Sequence, residues 1–289
     1  KGDLNTTYRC WSFSGSVIKA TKPVGVVCST PCSDFPQCGA CDGMMAMYTP
    51  IEEWGTSFVT SQVTKRKPLQ TCGNYDGIAD ILEITGPIGT NVTIKNQDGV
   101  TNLIIDKTIN NGAPDYGYGT IIWNNPPFGG LTDPETSGES NTVITTDQPV
   151  EVMQYSKAYG FDDTPDTDPE CIVVYPDHMW SSEYLIGNPP TLTGTTFKAV
   201  IMVKNGLVPD AKTDILLDGI AVGNLDWQDF AGGEYSFRRL VFSGATTHTI
   251  ESPAGHEFGV YISLVAAAES YTTMGGMGDL IDVQCPDCP

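Results

Sequence analysis

The sequence predicts an all-β protein made of tandem, repeat-related β-sandwich-like units with Greek-key or jelly-roll-type connections. Three observations predict it. Only 17% of the 289 residues are charged while Gly and Pro number 31 and 20, which suits short strands and turns better than helical bundles. Short apolar or alternating runs recur between Gly, Pro, Asn and Asp, and none holds a helical period for long. The third is internal: a stretch near the N-terminus returns 126 residues later.

The repeat reads Val17-Ile18-Lys-Ala-Thr-Lys22-Pro23-Val24-Gly-Val26 against Val143-Ile144-Thr-Thr-Asp-Gln148-Pro149-Val150-Glu-Val152. It continues with Phe35 over Phe161, Asp42 over Asp168, Pro50 over Pro176, Trp54 over Trp180, and Phe58 over Tyr184. Nine of 38 positions are identical between 17 and 54, without a gap. A weaker third copy starts at Thr249-Ile250-Glu-Ser-Pro253 and runs into Phe258-Gly-Val260-Tyr261. Each copy implies the same elements in order. A short strand (Val17-Ile18) turns at a proline into a second strand, Val24 to Cys28, where Pro is tolerated at a strand's first residue. After a long loop comes an apolar strand, Met44 to Tyr48 or Cys171 to Tyr175, and a Pro-containing turn then sets Trp54 or Trp180 before the next strand. Further strands are expected at 78–84, 91–95, 103–105, 120–123, 197–203, 213–217 and 235–242.

These signals divide the chain into a first unit at 1–72, incomplete at its N-terminus, a second at 73–189, a third at 190–284, and residues 285–289 as the start of a further Cys-rich module. The chain opens on Lys1-Gly2-Asp3 with no signal peptide, so a removed leader or a cut within a longer protein is expected. No apolar run approaches the roughly 20 residues of a membrane-spanning helix. A net charge of −20 disfavours nucleic acid and anionic membrane surfaces as partners.

Nine cysteines, Cys10, Cys28, Cys32, Cys38, Cys41, Cys72, Cys171, Cys285 and Cys288, are candidates for disulfides, with an odd one left over. A zinc reading of Cys38-Gly-Ala-Cys41 lacks a second ligand pair and a nearby His. Two sequons, at Asn5 and Asn91, agree with the cysteine density and acidity in pointing to secretion or surface display. Between the post-proline strand and the next, the first unit carries the cysteine loop. The second carries Asp162, Asp163, Asp166, Asp168 and Glu170, five carboxylates that suit a hard cation, so Ca²⁺ is the hypothesis there against a merely solvated acidic loop. No other cofactor is expected.

Trp54 and Trp180 are expected as core anchors because they are repeat-equivalent. Trp123 is read as a buried strand residue, against membership of an exposed aromatic patch. The histidines His178, His248 and His256 fall in no metalloprotease pattern, and no nucleophile elbow, phosphate loop or dinucleotide fingerprint is present. Acid pairs such as Glu52-Glu53 are the sole enzyme-like feature, and abundant acids make such pairs common. The expectation is a protein that is not an enzyme.

Lys22-Pro23-Val24-Gly-Val26, Cys41-Asp42, Pro50 before Trp54-Gly55, Gln148-Pro149-Val150-Glu-Val152-Met-Gln154-Tyr155, Asp168-Pro169 and Phe258-Gly259-Val260-Tyr261 leading to Glu269-Ser270-Tyr271 resemble the N-terminal domain family of IgG Fc-binding protein. The resemblance covers roughly residues 15 to 278, and the Asp162 to Glu170 loop departs from it. It implies a non-enzymatic extracellular module of mucus, matrix or adhesive proteins, whose partners are other extracellular proteins or glycoproteins. Binding of IgG Fc does not carry over, since no motif here encodes it. Open sheet edges add an expectation of end-to-end self-association. The rival function is a carbohydrate-binding module using aromatics and Ca²⁺.

Overall fold

The computed structural model describes residues 16–33, 42–63, 71–72, 75–76, 80–96, 99–106, 117–124, 141–156, 169–187, 196–223, 226–242, 247–266 and 269–275. Along the chain, β1 (Val26–Ser33) and β2 (Asp42–Tyr48) form a hairpin that a single 3-10 turn, Ile51–Glu53, joins to β3 (Gly55–Thr60). The two-residue strands β4 (Thr71–Cys72) and β5 (Tyr75–Asp76) pair with each other. Next come β6 (Ile81–Pro87), β7 (Asn91–Asn96), β8 (Gly99–Ile104), β9 (Tyr118–Asn124), β10 (Thr142–Ser156) and β11 (Glu170–Val174). A second 3-10 turn, Asp177–Met179, leads to β12 (Glu183–Gly187) and β13 (Thr196–Lys204), and α1 (Ala211–Asp214) to β14 (Leu216–Leu217) and β15 (Ile220–Ala221). The chain continues through β16 (Gln228–Phe230), β17 (Tyr235–Phe242), β18 (Thr247–Glu251), β19 (Gly259–Ala266) and β20 (Glu269–Met274).

The fold is all-β and antiparallel throughout its named pairings, as the sequence predicts. The 126-residue repeat is written into the ladders. β1 pairs β2 as Val26↔Tyr48, Val27↔Met47, Cys28↔Ala46, Ser29↔Met45 and Thr30↔Met44. β10 pairs β11 as Val152↔Val174, Met153↔Val173, Gln154↔Ile172, Tyr155↔Cys171 and Ser156↔Glu170, the same register shifted by 126. The two 3-10 turns match likewise, each capped by a proline in front and a tryptophan behind. β19 and β20 form the third version, pairing Tyr261↔Met274 and Ser263↔Thr272.

β10 is the axis of the second unit. Before Pro149 it pairs with β3 on one side and β7 on the other, giving the sheet β8-β7-β10-β3. After a register shift between Thr145 and Val150 it pairs with β6 and β11, giving β9-β6-β10-β11. Pro149 withholds an N–H, so one strand turns a corner from sheet to sheet there. The third unit repeats the plan with this strand broken in two. β18 sits in the sheet β15-β14-β18-β12, while β19 sits in β16-β17-β13-β19-β20. In both units the strand that follows a tryptophan, β3 or β12, pairs within the next unit's sheet, so successive units exchange a strand.

Apolar alternation explains the layers. Ile84, Val152, Ile172 and Val174 face inward with Phe58, Val92, Ile94 and Ile144 of the companion sheet, and the cluster extends to Val200, Met202, Phe237 and Tyr261 of the third unit. A second core joins Tyr184, Ile186, Phe197, Ala199, Ile201, Val203, Ile250, Phe258 and Val260. β2 packs on β11, and β11 on β20, so the three hairpins are stacked in series.

Two sequence expectations change. Val17-Ile18 lies outside any strand, whereas Val143-Ile144 lies in β10 and Ile250 in β18. The equivalents are held between two partner strands each, and Val17-Ile18 has none among the described residues. The run 213–217 splits between α1 and β14, because the Asp210 carboxylate accepts from the Lys212 N–H and caps one helical turn.

Candidate functional site

At each junction between stacked units a 3-10 turn sets a tryptophan against the tyrosine that opens β9 or β17. Trp54 meets Tyr118 edge-to-face at 5.9 Å, and Trp180 meets Tyr235 at 6.2 Å. At the second junction Trp180 lies on Gly259, where an added Cβ would come within 2.7 Å of Cε2 of the indole. Trp180 is accordingly buried. At the first junction the position of Gly259 is taken by Glu151, Trp54 is half-buried, and a cleft of about 590 Å³ remains.

This cleft is the candidate site. Its walls are the inner face of the first hairpin (Val26, Cys28, Tyr48) and the outer face of β6 and β10 (Glu83, Thr85, Glu151, Met153), with Trp54 and Tyr118 at one side. Glu151 is buried, and its Oε1 accepts from the N–H and the hydroxyl of Thr49, each at 3.0 Å. Burial pushes its carboxyl up from the ordinary 4.5 to about 7, against the lowering effect of the Thr49 bonds. Glu83 accepts from the Tyr155 hydroxyl at 3.0 Å. Burial, reinforced by nearby Glu83, raises the Tyr48 and Tyr155 hydroxyls well above the ordinary tyrosine value. The site offers aromatic surface and acceptor oxygens, and of its three carboxylates Glu83 and Glu151 are bonded within the protein while Glu52, from the acid pair Glu52-Glu53, stands exposed at its margin.

The sequence-predicted residues scatter. Cys28 and Cys171 are free thiols, which corrects their reading as disulfide candidates. Their ladder partners are Ala46 and Tyr155, so neither faces a cysteine across its strand pair. Burial, with Glu170 and Cys28 nearby, raises the Cys171 thiol to about 11. Cys32 is disulfide-bonded. Cys10, Cys38, Cys41, Cys285 and Cys288 lie outside the described residues, as does the side chain of Cys72. Of the candidate Ca²⁺ ligands only Glu170 is described: it opens β11, its N–H donates to the Ser156 hydroxyl at 3.0 Å, and that hydroxyl donates to its Oε2 at 3.3 Å. Asp162, Asp163, Asp166 and Asp168 lie outside the described residues, as does Asn5. Among the described residues no three His, Cys, Asp or Glu side chains gather as a metal site. Asn91 is exposed at the start of β7 and its amide donates to Asp147 at 2.6 Å, which with the Asn91 N–H holds that carboxyl below its ordinary range.

Trp123 is buried in β9. His248 is tied to Asp218 and His256 to the Pro209 carbonyl. Sequence reading missed the cleft, whose one available signal was Glu151 in the repeat position of Gly25 and Gly259. Among the described residues no helix is long and apolar enough to cross a membrane.

No curated protein and no solved structure matches the chain. Residues 7–263 match the family described as IgGFc binding protein, a span that takes in the first two hairpins and ends within β19 of the third. Membership suggests an extracellular binding or adhesive module. The register-matched hairpins and the matched span agree, and the chain belongs to the IgGFc binding protein family.

Proposed function

We propose that the chain is a non-enzymatic adhesive module of a larger secreted or surface glycoprotein, holding to neighbouring extracellular proteins through the outer face of its first hairpin. One observation carries this reading. Val27, Met45 and Met47 on that face are 55%, 64% and 63% exposed, whereas of their equivalents Met153, Tyr261, Met274 and Thr272 are at most 5% exposed and Cys171 and Val173 are half-buried beneath the preceding unit. Contiguous exposed apolar side chains mark interaction surfaces. The non-enzymatic part is supported by Glu83 and Glu151, two of the three acids lining the cleft, each of which already accepts within the protein, from Tyr155 and Thr49. Sedimentation of the 289-residue chain over a concentration series tests it. Association that disappears in Met45→Glu/Met47→Glu is the expected result, and a strictly monomeric profile counts against it.

A second reading, carbohydrate binding, is favoured by the cleft, where Trp54, Tyr118 and Tyr48 stand beside Thr85 and three carboxylates. Saturable binding on a glycan array, abolished by Trp54→Ala, would move the assignment to that reading.

A further inference from the structure

The cleft at the first junction is organised around one threonine. Thr49 donates from its N–H and its hydroxyl to Oε1 of Glu151, each at 3.0 Å, and its carbonyl accepts from Nε1 of Trp54 at 3.4 Å. A carboxyl and an indole are thereby fixed on the walls of one cleft, and a ligand is spared the cost of ordering them.

This arrangement uses only half of Glu151. The residue is 6% exposed, yet its second oxygen, Oε2, accepts no hydrogen bond among the described residues and belongs to a side chain that lines the cleft. A buried carboxylate with an idle oxygen is costly unless a donor or a positive charge meets it. The equivalent positions in the other two hairpins are Gly25 and Gly259, so this charge is particular to the first junction.

The surroundings favour a positive charge over a neutral donor. Glu52 and Glu83 add two carboxylates to the walls, and Lys19, the one basic residue among the described lining, forms no ion pair with them. Tyr48, Trp54 and Tyr118 supply rings whose faces attract cations.

We propose that this cleft takes an organic cation, the guanidinium or ammonium of an arginine- or lysine-like group, with Oε2 of Glu151 as its counter-charge and the Trp54, Tyr118 and Tyr48 rings beside it. The inference goes beyond the adhesive reading, because strand alternation puts Met45 and Met47 on the other face of the hairpin, and it is a rival to the sugar reading of the same cleft.

Glu151 gives such a site a pH signature. Burial, with Glu83 adding to it and the Thr49 bonds opposing, keeps its proton on up to about 7. A bound cation favours the ionised form, so binding strengthens as pH rises through 7. The other charged or titratable groups on the walls are Glu83 of β6, Glu52 of the 3-10 turn, Lys19 before β1, Cys28 of β1, Tyr48 of β2 and Tyr118 of β9.

The probe is acetylarginine amide, with acetylcitrulline amide as its uncharged isostere, followed by NMR through the indole N–H signals of the 289-residue chain. The Trp54 signal, identified by its loss in Trp54→Phe, should shift saturably with the arginine probe at pH 8. Binding should be at least about tenfold weaker at pH 5, and weaker by a similar factor for the citrulline probe. Glu151→Gln, whose amide oxygen still accepts from Thr49, should bind the arginine probe no better than the citrulline probe at either pH. If that variant does not fold, the pH and citrulline arms on the unaltered chain still decide. A peptide Gly-Gly-Arg-Gly-Gly that binds tighter than the amide makes a polypeptide the source of the cation, and equal affinity makes it a free small cation; either result upholds the site. No saturable shift, equal binding of the two probes, or affinity unchanged between pH 5 and pH 8 would overturn the proposal. A neutral hexose that shifts the Trp54 signal as strongly as the arginine probe would overturn it in favour of sugar. The Met45→Glu/Met47→Glu chain should bind the arginine probe unchanged, so this test and the sedimentation test fail separately.

Discussion

The hairpins β1/β2 and β10/β11 share one register and differ in almost everything else that can be measured on them. In β10 Val152 and Met153 are buried on opposite faces of the strand, while in β1 Val26 is half-buried and Val27 exposed. The strands are the same; the neighbours are not. β10 has β6 on its free edge and the first hairpin over its outer face, and β1 has neither among the described residues. Burial at a given repeat position is therefore set by the stack, as expected where each unit covers part of the next.

The largest effect should come from the two tryptophans. Trp180→Ala removes a buried indole and should cost about 3–5 kcal/mol, against about 1–2 for half-buried Trp54. Denaturant midpoints measure this, and equal losses would mean that the two junctions are packed alike. Gly259→Ala should cost about 1–3 kcal/mol through overlap with Trp180. No such cost is expected at Glu151, which already carries a side chain in the equivalent place.

The next effect is a pH dependence confined to the first junction. Glu151 holds its proton up to about 7 in the fold and up to its ordinary 4.5 when unfolded. The folded state thus binds the extra proton between these values, so this stabilising effect is complete below 4.5 and lost as pH rises through 7. At most about 3 kcal/mol is at stake, because each tenfold change in proton affinity is worth roughly 1.4 kcal/mol. Melting temperatures at pH 5 and pH 8 should differ less in Glu151→Gln, whose amide oxygen still accepts from Thr49. An unchanged difference would sever the pH response from this carboxyl.

The smallest effect is chemical and leaves the fold intact. Cys28 is exposed, while the half-buried Cys171 is raised to about 11, so few of its thiols ionise at pH 8. Iodoacetamide followed by peptide mass mapping should label Cys28 at least about tenfold faster. Equal rates would show the first hairpin leaving β11 open.

Much of this fold is legible in the sequence because its signals are local. Pro23 and Pro149, Pro50 and Pro176, Trp54 and Trp180 mark the turns, and alternation marks the strands between them. The strand exchange is not legible, since nothing in Gly55 to Thr60 says which sheet receives β3. The failed strand at Val17-Ile18 has the same origin: its residues match those of β10, and what is lacking among the described residues is a partner. The site was harder still. Glu151 reads as one acid among 35 acidic residues, and its hydrogen-bond partner Thr49, just past the first hairpin, is 102 positions away.

The exchange of β3 and β12 bears on mechanical load. The first and second repeats each lend a strand forward, so among the described residues there is no cut at which either departs with all its own strands. Tension along the backbone must therefore break the Phe58↔Ile144 and Tyr184↔Ile250 ladders before the units can separate. A string of beads would stretch first in its linkers; an interlocked row passes the pull from sheet to sheet.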